Sequence, residues 1–355
     1  MKKIPLFTAL MIGATPLLAL ADTFTLKDGS VIEGSVISET PEFYVLEVQV
    51  TKSIKDERKV AKADVAKMER EKLDLTAFEA ISKLVPAPDF ASPADYAERI
   101  SAFTKFITAF PASSKFSEAK KTLESFKAEE KEIAAGAIKY NGLIIQKADY
   151  LANAYEFDAR ALEAKIRSAI AKNEVRTALI SFAELDRDFP STSSRSAVVP
   201  VISQVIGAYL ADTKELLGTL EARIKERQIG LDRMALLDRK DTEAAIKEDE
   251  ASHEKRYTSE KASLIPWPVV TPFHKASMTD TLQFGQKELA RLSVIPSMTA
   301  ADGAKAYRDV ISALNSGTDA AAKAVAVSTA LTAAKAAGVP ARYLAPLEAS
   351  AKAKP

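Results

Sequence analysis

The sequence predicts a mainly α protein with a small N-terminal β region, and three observations carry that class. Apolar and polar residues alternate in short runs between about residues 23 and 70, whereas beyond Ser92 the apolar residues recur at three- and four-residue spacing. Aromatic residues make up only 7% of the chain while Ala, Lys and Glu are abundant, a composition that leans toward helices. A helical segment also repeats itself 79 residues on, as Phe103 is from Phe182.

Taken in order, Lys2 and Lys3 precede an apolar stretch from Ile4 to Leu20 that closes in Ala19-Leu20-Ala21, the small-x-small pattern of a secretory signal. Gly13, Thr15 and Pro16 interrupt the stretch, so cleavage near Ala21 is expected rather than a retained membrane span. The expected location is periplasmic or secreted. The chain has no Cys, which excludes a lipid-modified N-terminus and leaves core burial to stabilise the fold. A formal charge of +1 falls to −1 when Lys2 and Lys3 leave with the leader, so the field a nucleic-acid binder needs is missing. No second hydrophobic run is expected after the leader.

Residues 22–70 read as about five short strands. Thr23 to Leu26 alternates and meets Asp28-Gly29, a tight-turn dipeptide. Val31 to Ser38 follows, with Gly34 inside it to permit a bend, and Thr40-Pro41-Glu42 breaks it. Phe43 to Val50 puts Tyr44, Leu46, Val48 and Val50 on one face, and Arg58 to Ala61 and Val65 to Met68 complete the set. The order Leu26-x-Asp28-Gly29, Gly34-x-Val36, Tyr44-x-Leu46-x-Val48 and Ala63-Asp64-Val65 resembles the Sm-like and SH3-like small β-barrels. The resemblance implies a fold and a docking or oligomerisation module, since the RNA-binding loop residues of Sm-like barrels are not recognisable.

Residues 71–91 hold a helix and the linker Val85-Pro86-Ala87-Pro88-Asp89-Phe90, which is expected to separate the barrel from everything after it. This string resembles the Pro-x-Pro-Asp signature of the exported bacterial PTPDL proteins, with Ala87 and Phe90 in place of Thr and Leu.

Ser92 and Pro93 start a helix whose Tyr96, Ile100, Phe103, Phe106, Ile107 and Phe110 share a face, and Pro111 stops it. A second helix is expected from about Lys115 to Ile133. The segment Phe103-x-x-Phe106-x-x-x-Phe110-Pro111-x-Ser113-Ser114 recurs as Phe182-x-x-Leu185-x-x-x-Phe189-Pro190-x-Thr192-Ser193. Residues 92–205 therefore resemble tetratricopeptide-like helical repeats, although the Trp and Leu-Gly positions of that consensus are absent. Between the copies, 137–146 reads as a β-hairpin on Asn141-Gly142, and Asp149 opens a helix running through Tyr155, Leu162, Ile166 and Ile170.

Residues 206–295 read as long antiparallel helices. Ile206, Leu210, Thr213, Leu217, Leu220 and Ile224 form a heptad seam extended by Leu231 and Met234. Thr242 to Leu264 is charged nearly all round; Pro266-Trp267-Pro268 and Pro272 make a turn; Leu282, Gly285, Leu289 and Leu292 resume the seam. A hairpin packing on itself and a homodimeric coiled coil both satisfy this pattern. Residues 296–355 read as an Ala-rich helical hairpin, broken at Asn315-Ser316-Gly317-Thr318, and a frayed tail.

No catalytic, cofactor-binding or metal-binding residue is assigned. The two histidines, His253 and His274, are read as a helix-packing and a turn residue. Glu221 with Lys225 and Glu243 with Lys247 are read as i,i+4 surface pairs. Trp267, Phe273 and Tyr257 form either an aromatic patch for a glycan or peptide or a core plug. No cofactor is expected. The expectation is a non-enzymatic periplasmic protein-binding or scaffolding protein whose partners are envelope or periplasmic proteins. A self-associating structural component of the envelope, a homo-oligomer, is the alternative, and an envelope hydrolase a third.

Overall fold

A computed structural model describes residues 22–51, 54–69, 73–294, 302–317 and 319–352. The leader and its cleavage point at Ala21 lie outside the described residues, as do Thr318 and the last three residues of the tail. The fold is mainly α with a five-stranded antiparallel sheet at its N-terminal end, as the sequence predicts.

The strands are β1 (Asp22–Leu26), β2 (Val31–Glu39), β3 (Phe43–Thr51), β4 (Ile54–Ala61) and β5 (Val65–Glu69), in the order β4-β3-β2-β1-β5. Period-2 alternation delivers Phe24, Ile32, Leu46 and Val60 to one buried cluster, with Leu26, Val36, Tyr44, Val48, Val65 and Met68 against it. The edge strands β4 and β5, joined by a 3-10 turn at Lys62–Asp64, reach the same cluster through Val60 and Val65, so the sheet curls around it. Gly29 turns β1 into β2 with φ +84°. Gly34, where β2 passes from pairing with β1 to pairing with β3, also needs its bare backbone: a Cβ there would lie 2.7 Å from the Glu47 carbonyl oxygen.

The helices are α1 (Leu73–Ser82), α2 (Pro93–Ala109), α3 (Phe116–Ala134), α4 (Lys147–Ala152), α5 (Ala154–Ala171), α6 (Val175–Asp188), α7 (Ser193–Gly218), α8 (Leu220–Asp232), α9 (Leu236–Ala262), α10 (Lys275–Ser293), α11 (Gly303–Leu314), α12 (Ala320–Ala336) and α13 (Ala341–Lys352). Strands β6 (Ile138–Tyr140) and β7 (Leu143–Ile145) pair antiparallel about Asn141 and Gly142, both at positive φ.

The chain divides into two compact units, 1–87 with 94–128, and 88–93 with 129–355. The linker therefore does not set the barrel apart from everything after it: α2 and most of α3 group with the sheet. The two copies of the Phe-Pro segment fall in different units rather than in one array. In the first unit, Phe103 and Tyr96 of α2 pack on Phe126 of α3 at 5.5 and 6.3 Å, and Phe78 of α1 meets Phe106 at 5.5 Å. In the second, α5, α6, α7, α10 and α11–α13 share one core that includes Tyr155, Leu179, Phe189, Ile206, Trp267 and Leu344.

Burial extends the internal repeat beyond the Phe-Pro turn, because Ala119 and Leu123 of α3 correspond to Val198 and Ile202 of α7, and all four are buried. The turns themselves differ. Ser113 donates to Asp74 Oδ2 at 2.5 Å in the first copy. In the second, Thr192 caps α7, and Ser191, which replaces Ala112, donates to the Ala337 carbonyl at 2.5 Å.

Three other expectations change. The helix expected from Asp149 is two helices, because Asn153 leaves helical geometry while its side chain donates to the Asp149 carbonyl. The heptad seam holds at Leu220 and Leu231, which are buried, but not at Ile224 and Met234, which are 43% and 42% exposed beyond the break at Thr219. Within the chain α10 fills the seam against α7, where a Cβ on Gly285 would fall 2.5 Å from a Leu210 methyl group. The C-terminal segment has three helices among the described residues instead of a hairpin. Gly338, at φ +79°, ends α12, and α13 follows with Pro346 inside it and Leu344 buried.

Helix α7 is long and apolar enough to cross a membrane by length and composition alone, contrary to the expectation of no second hydrophobic run. It packs on α5, α6 and α10.

Candidate functional site

The charged helices α8 and α9 and the Pro-rich segment before α10 enclose a cleft of about 790 Å³. Ile224, Ala245, Ile246 and Phe273 give it apolar surface, and Arg227, Asp249, Glu250 and Glu254 give it charge. Both histidines of the chain line it.

The Pro-rich wall is held from both sides. Prolines 266, 268 and 272 keep it out of helix, with bends at 266–267 and a turn at 272–273, and Arg176 donates to the Trp267 carbonyl at 2.7 Å. Glu260 accepts the Val269 amide at 2.7 Å and pairs with Arg176 and Arg256, each at 3.0 Å. Burial works to raise the Glu260 pKa, but the Val269 amide and the two arginines together hold it below the usual carboxylate value. Phe273 sits under the guanidinium groups of Arg227 and Arg223, at 4.3 and 5.2 Å from its ring centre.

His274 is the N-cap of α10. Its Nδ1 accepts the Ser277 amide at 3.3 Å, so Nε2 carries the proton and donates to Glu254 at 2.7 Å. The Ser277 hydroxyl donates instead to the His274 carbonyl, so the two do not form a nucleophile and base. His253 lies 3.2 Å from Asp249 one turn back on α9. His274 lies in the turn before α10, as expected, whereas His253 faces the cleft from α9.

Below the cleft, Tyr257 is the buried residue of α9 and donates to Asp280, which also accepts from Lys261 at 2.7 Å. These hydrogen bonds, Lys261 first, lower the Asp280 pKa; burial and then Asp280 raise that of Tyr257. Trp267 is 2% exposed and packs on Phe284 and Tyr209 at 4.9 and 6.2 Å, so it is a core plug. Trp267, Phe273 and Tyr257 do not make an exposed aromatic patch, because only Phe273 reaches the surface.

The expected surface pairs rearrange. Glu243 bonds Arg239 at 2.7 Å instead of Lys247, since Arg239 also reaches Asp232 at 3.0 Å, and no ion pair joins Glu221 to Lys225 among the described residues.

Sequence reasoning missed a second polar arrangement, on α5. Asp158 accepts from Tyr150 at 2.8 Å and from Tyr343 at 2.5 Å, and both phenols are pushed above their ordinary value by burial and by that carboxylate. Asp188 at the end of α6 accepts from Arg187 and Arg342 at 2.8 Å each, and the Arg187 bonds foremost lower its pKa. Its partners lie 154 residues apart from it in the case of Arg342, and only the run of acidic and aromatic residues at 155–158 hints at the arrangement.

Among the described residues no group of three or more histidine and carboxylate side chains is placed to hold a metal ion. No protein-family model, curated protein or solved structure matches the chain.

Proposed function

We propose that the chain is a non-enzymatic binding or scaffolding protein that acts in the periplasm after its leader is removed near Ala21, and that the cleft of α8, α9 and the Pro-rich segment takes its protein partner. The observation that carries this reading is the commitment of the cleft's histidines to structural hydrogen bonds beside an apolar surface of Ile224, Ile246 and Phe273. Such a surface gains by being covered, and its charged rim supplies orientation. Envelope or periplasmic proteins are the partner class, which follows from the leader.

A self-associating envelope component is the second reading. It is favoured by the turn from α8 to α9, where Leu236 and Leu237 are 83% and 76% exposed beside Met234 and Ile229. Light scattering on the leader-free chain separates the two, because a strict monomer counts against self-association. Crosslinking in cells followed by mass spectrometry tests the first: a defined envelope protein is expected, and recovery of none contradicts it.

A further inference from the structure

The proton on the His274 ring decides which bonds the ring can make. As N-cap of α10 its Nδ1 accepts the amide of Ser277, a fully buried residue, while its Nε2 donates to Glu254 of α9. The usual capping residues, Asn, Asp, Ser and Thr, accept through oxygen atoms that stay acceptors at neutral pH. In a histidine cap the accepting atom is the one that takes up a proton, and imidazole is the side chain that changes charge between about pH 5 and pH 8.

The His274 side chain is 19% exposed, so solvent reaches it. Around it stand Glu254, Tyr257 and Lys261 of α9 and Asp280 of α10, with Arg223 and Arg227 of α8 on the neighbouring Phe273 and Lys275 next in the chain. Glu254 at 2.7 Å and the Tyr257 ring at 4.8 Å both favour an imidazolium. Proton uptake at Nδ1 therefore keeps the bond to Glu254 and breaks the one to Ser277. It leaves a buried amide without its acceptor and sets a cation at the positive end of α10.

Thr271, Pro272, Phe273 and His274 are the end of the Pro-rich wall that lines the α8–α9 cleft. The other end is fastened at the Val269 amide by Glu260, whose lowered pKa keeps it ionised in the range where imidazole titrates. The charge of the lining changes too. With both rings neutral, Arg227 and Lys247 against Asp249, Glu250 and Glu254 leave one negative charge; with His253 and His274 protonated they leave one positive charge. We propose that His274 is a proton switch, which fastens the α10 end of the cleft wall at neutral pH and releases it in mild acid. The switch belongs to the cleft in which the partner is proposed to sit, but it is a property of the chain alone and stands or falls separately from that partner.

The test is amide hydrogen exchange of the full leader-free chain between about pH 8 and about pH 5, followed by NMR beside the titration of the His274 ring and corrected for the intrinsic pH dependence of exchange. Protection of the Ser277 amide is expected to fall by about 5-fold, the scale of one lost N-cap, with the midpoint of the His274 ring, while the Val269 amide keeps its protection. His274→Asn caps the helix without titrating and removes the step. His274→Ala has no acceptor and lowers protection at both ends of the range; if it does not fold, His274→Asn carries the test. His253→Gln keeps the step. Equal protection of Ser277 across the range in the wild-type chain, a step of the same size in His274→Asn, or loss of the step in His253→Gln overturns the inference.

Discussion

Asp89 accepts the backbone amide of Asn141 at 2.8 Å, and its second oxygen takes the Gly142 amide at 3.2 Å. The acidic residue of the Pro-x-Pro-Asp string thus closes the hairpin of β6 and β7. The next residue completes the clasp: the Phe90 amide donates to the Lys139 carbonyl at 2.8 Å and its ring meets Tyr140 at 5.4 Å. Asp89→Ala is expected to release the hairpin amides, with faster hydrogen exchange across 138–145 and a local cost of about 1–2 kcal/mol. Unchanged exchange there contradicts the clasp.

Two glycines of the α7–α10 region are expected to respond oppositely to alanine. At Gly285 the new methyl group meets buried Leu210, and a loss of about 1–3 kcal/mol is expected from overpacking. At Gly207, inside α7, nothing lies within 4 Å of the added Cβ, and a gain of roughly 0.5–1 kcal/mol is expected from helix propensity. Urea unfolding of both variants checks the pair, and a stabilising Gly285→Ala refutes the close helix contact.

Much of this was legible because it is local. The Asn141-Gly142 turn, the Ser92-Pro93 helix start and the alternation of Tyr44, Leu46 and Val48 are each fixed by neighbouring residues, and each is found in place. What was not legible depends on distant partners. Asp89 meets a turn 52 residues away, Ser191 meets the end of α12 across 146 residues, and Leu344 draws a third C-terminal helix into the core. The heptad pattern misled at Ile224 for a related reason: periodicity continues through Thr219, but the helix does not. At the cleft, the convergence of His253 and His274 on one cavity required the fold.

The Asp188 carboxylate sets an acid limb. Its pKa in the folded chain lies below the ordinary 3.8, so it binds protons more weakly there than in the unfolded chain. Its contribution is full above that ordinary value and is lost as pH falls through the folded value. Asp188→Asn is expected to destabilise by about 1–3 kcal/mol at neutral pH, because Arg342 and Arg187 lose a buried acceptor. The gap to the wild type closes as pH falls into that range, and thermal melts between neutral and acid pH measure it; a constant gap contradicts the pairing.

Trp267 is the single tryptophan and reports on the core alone. Blue-shifted emission, resistance to iodide quenching and a red shift on unfolding are expected. Trp267→Ala costs about 3–5 kcal/mol by leaving a cavity between α7 and α10. Ready quenching in the native state places the ring at the surface instead.

The account turns on the α8–α9 cleft as the place where a partner is held, and site-specific photocrosslinking in living cells tests that directly. A photoreactive residue at Ile246, inside the cleft, is compared with one at Leu264, 87% exposed and outside it. A discrete envelope-protein adduct from Ile246, absent from Leu264 and lost when Ala245→Trp blocks the cleft, is the predicted result. No adduct from Ile246, or the same adducts from both positions, contradicts it.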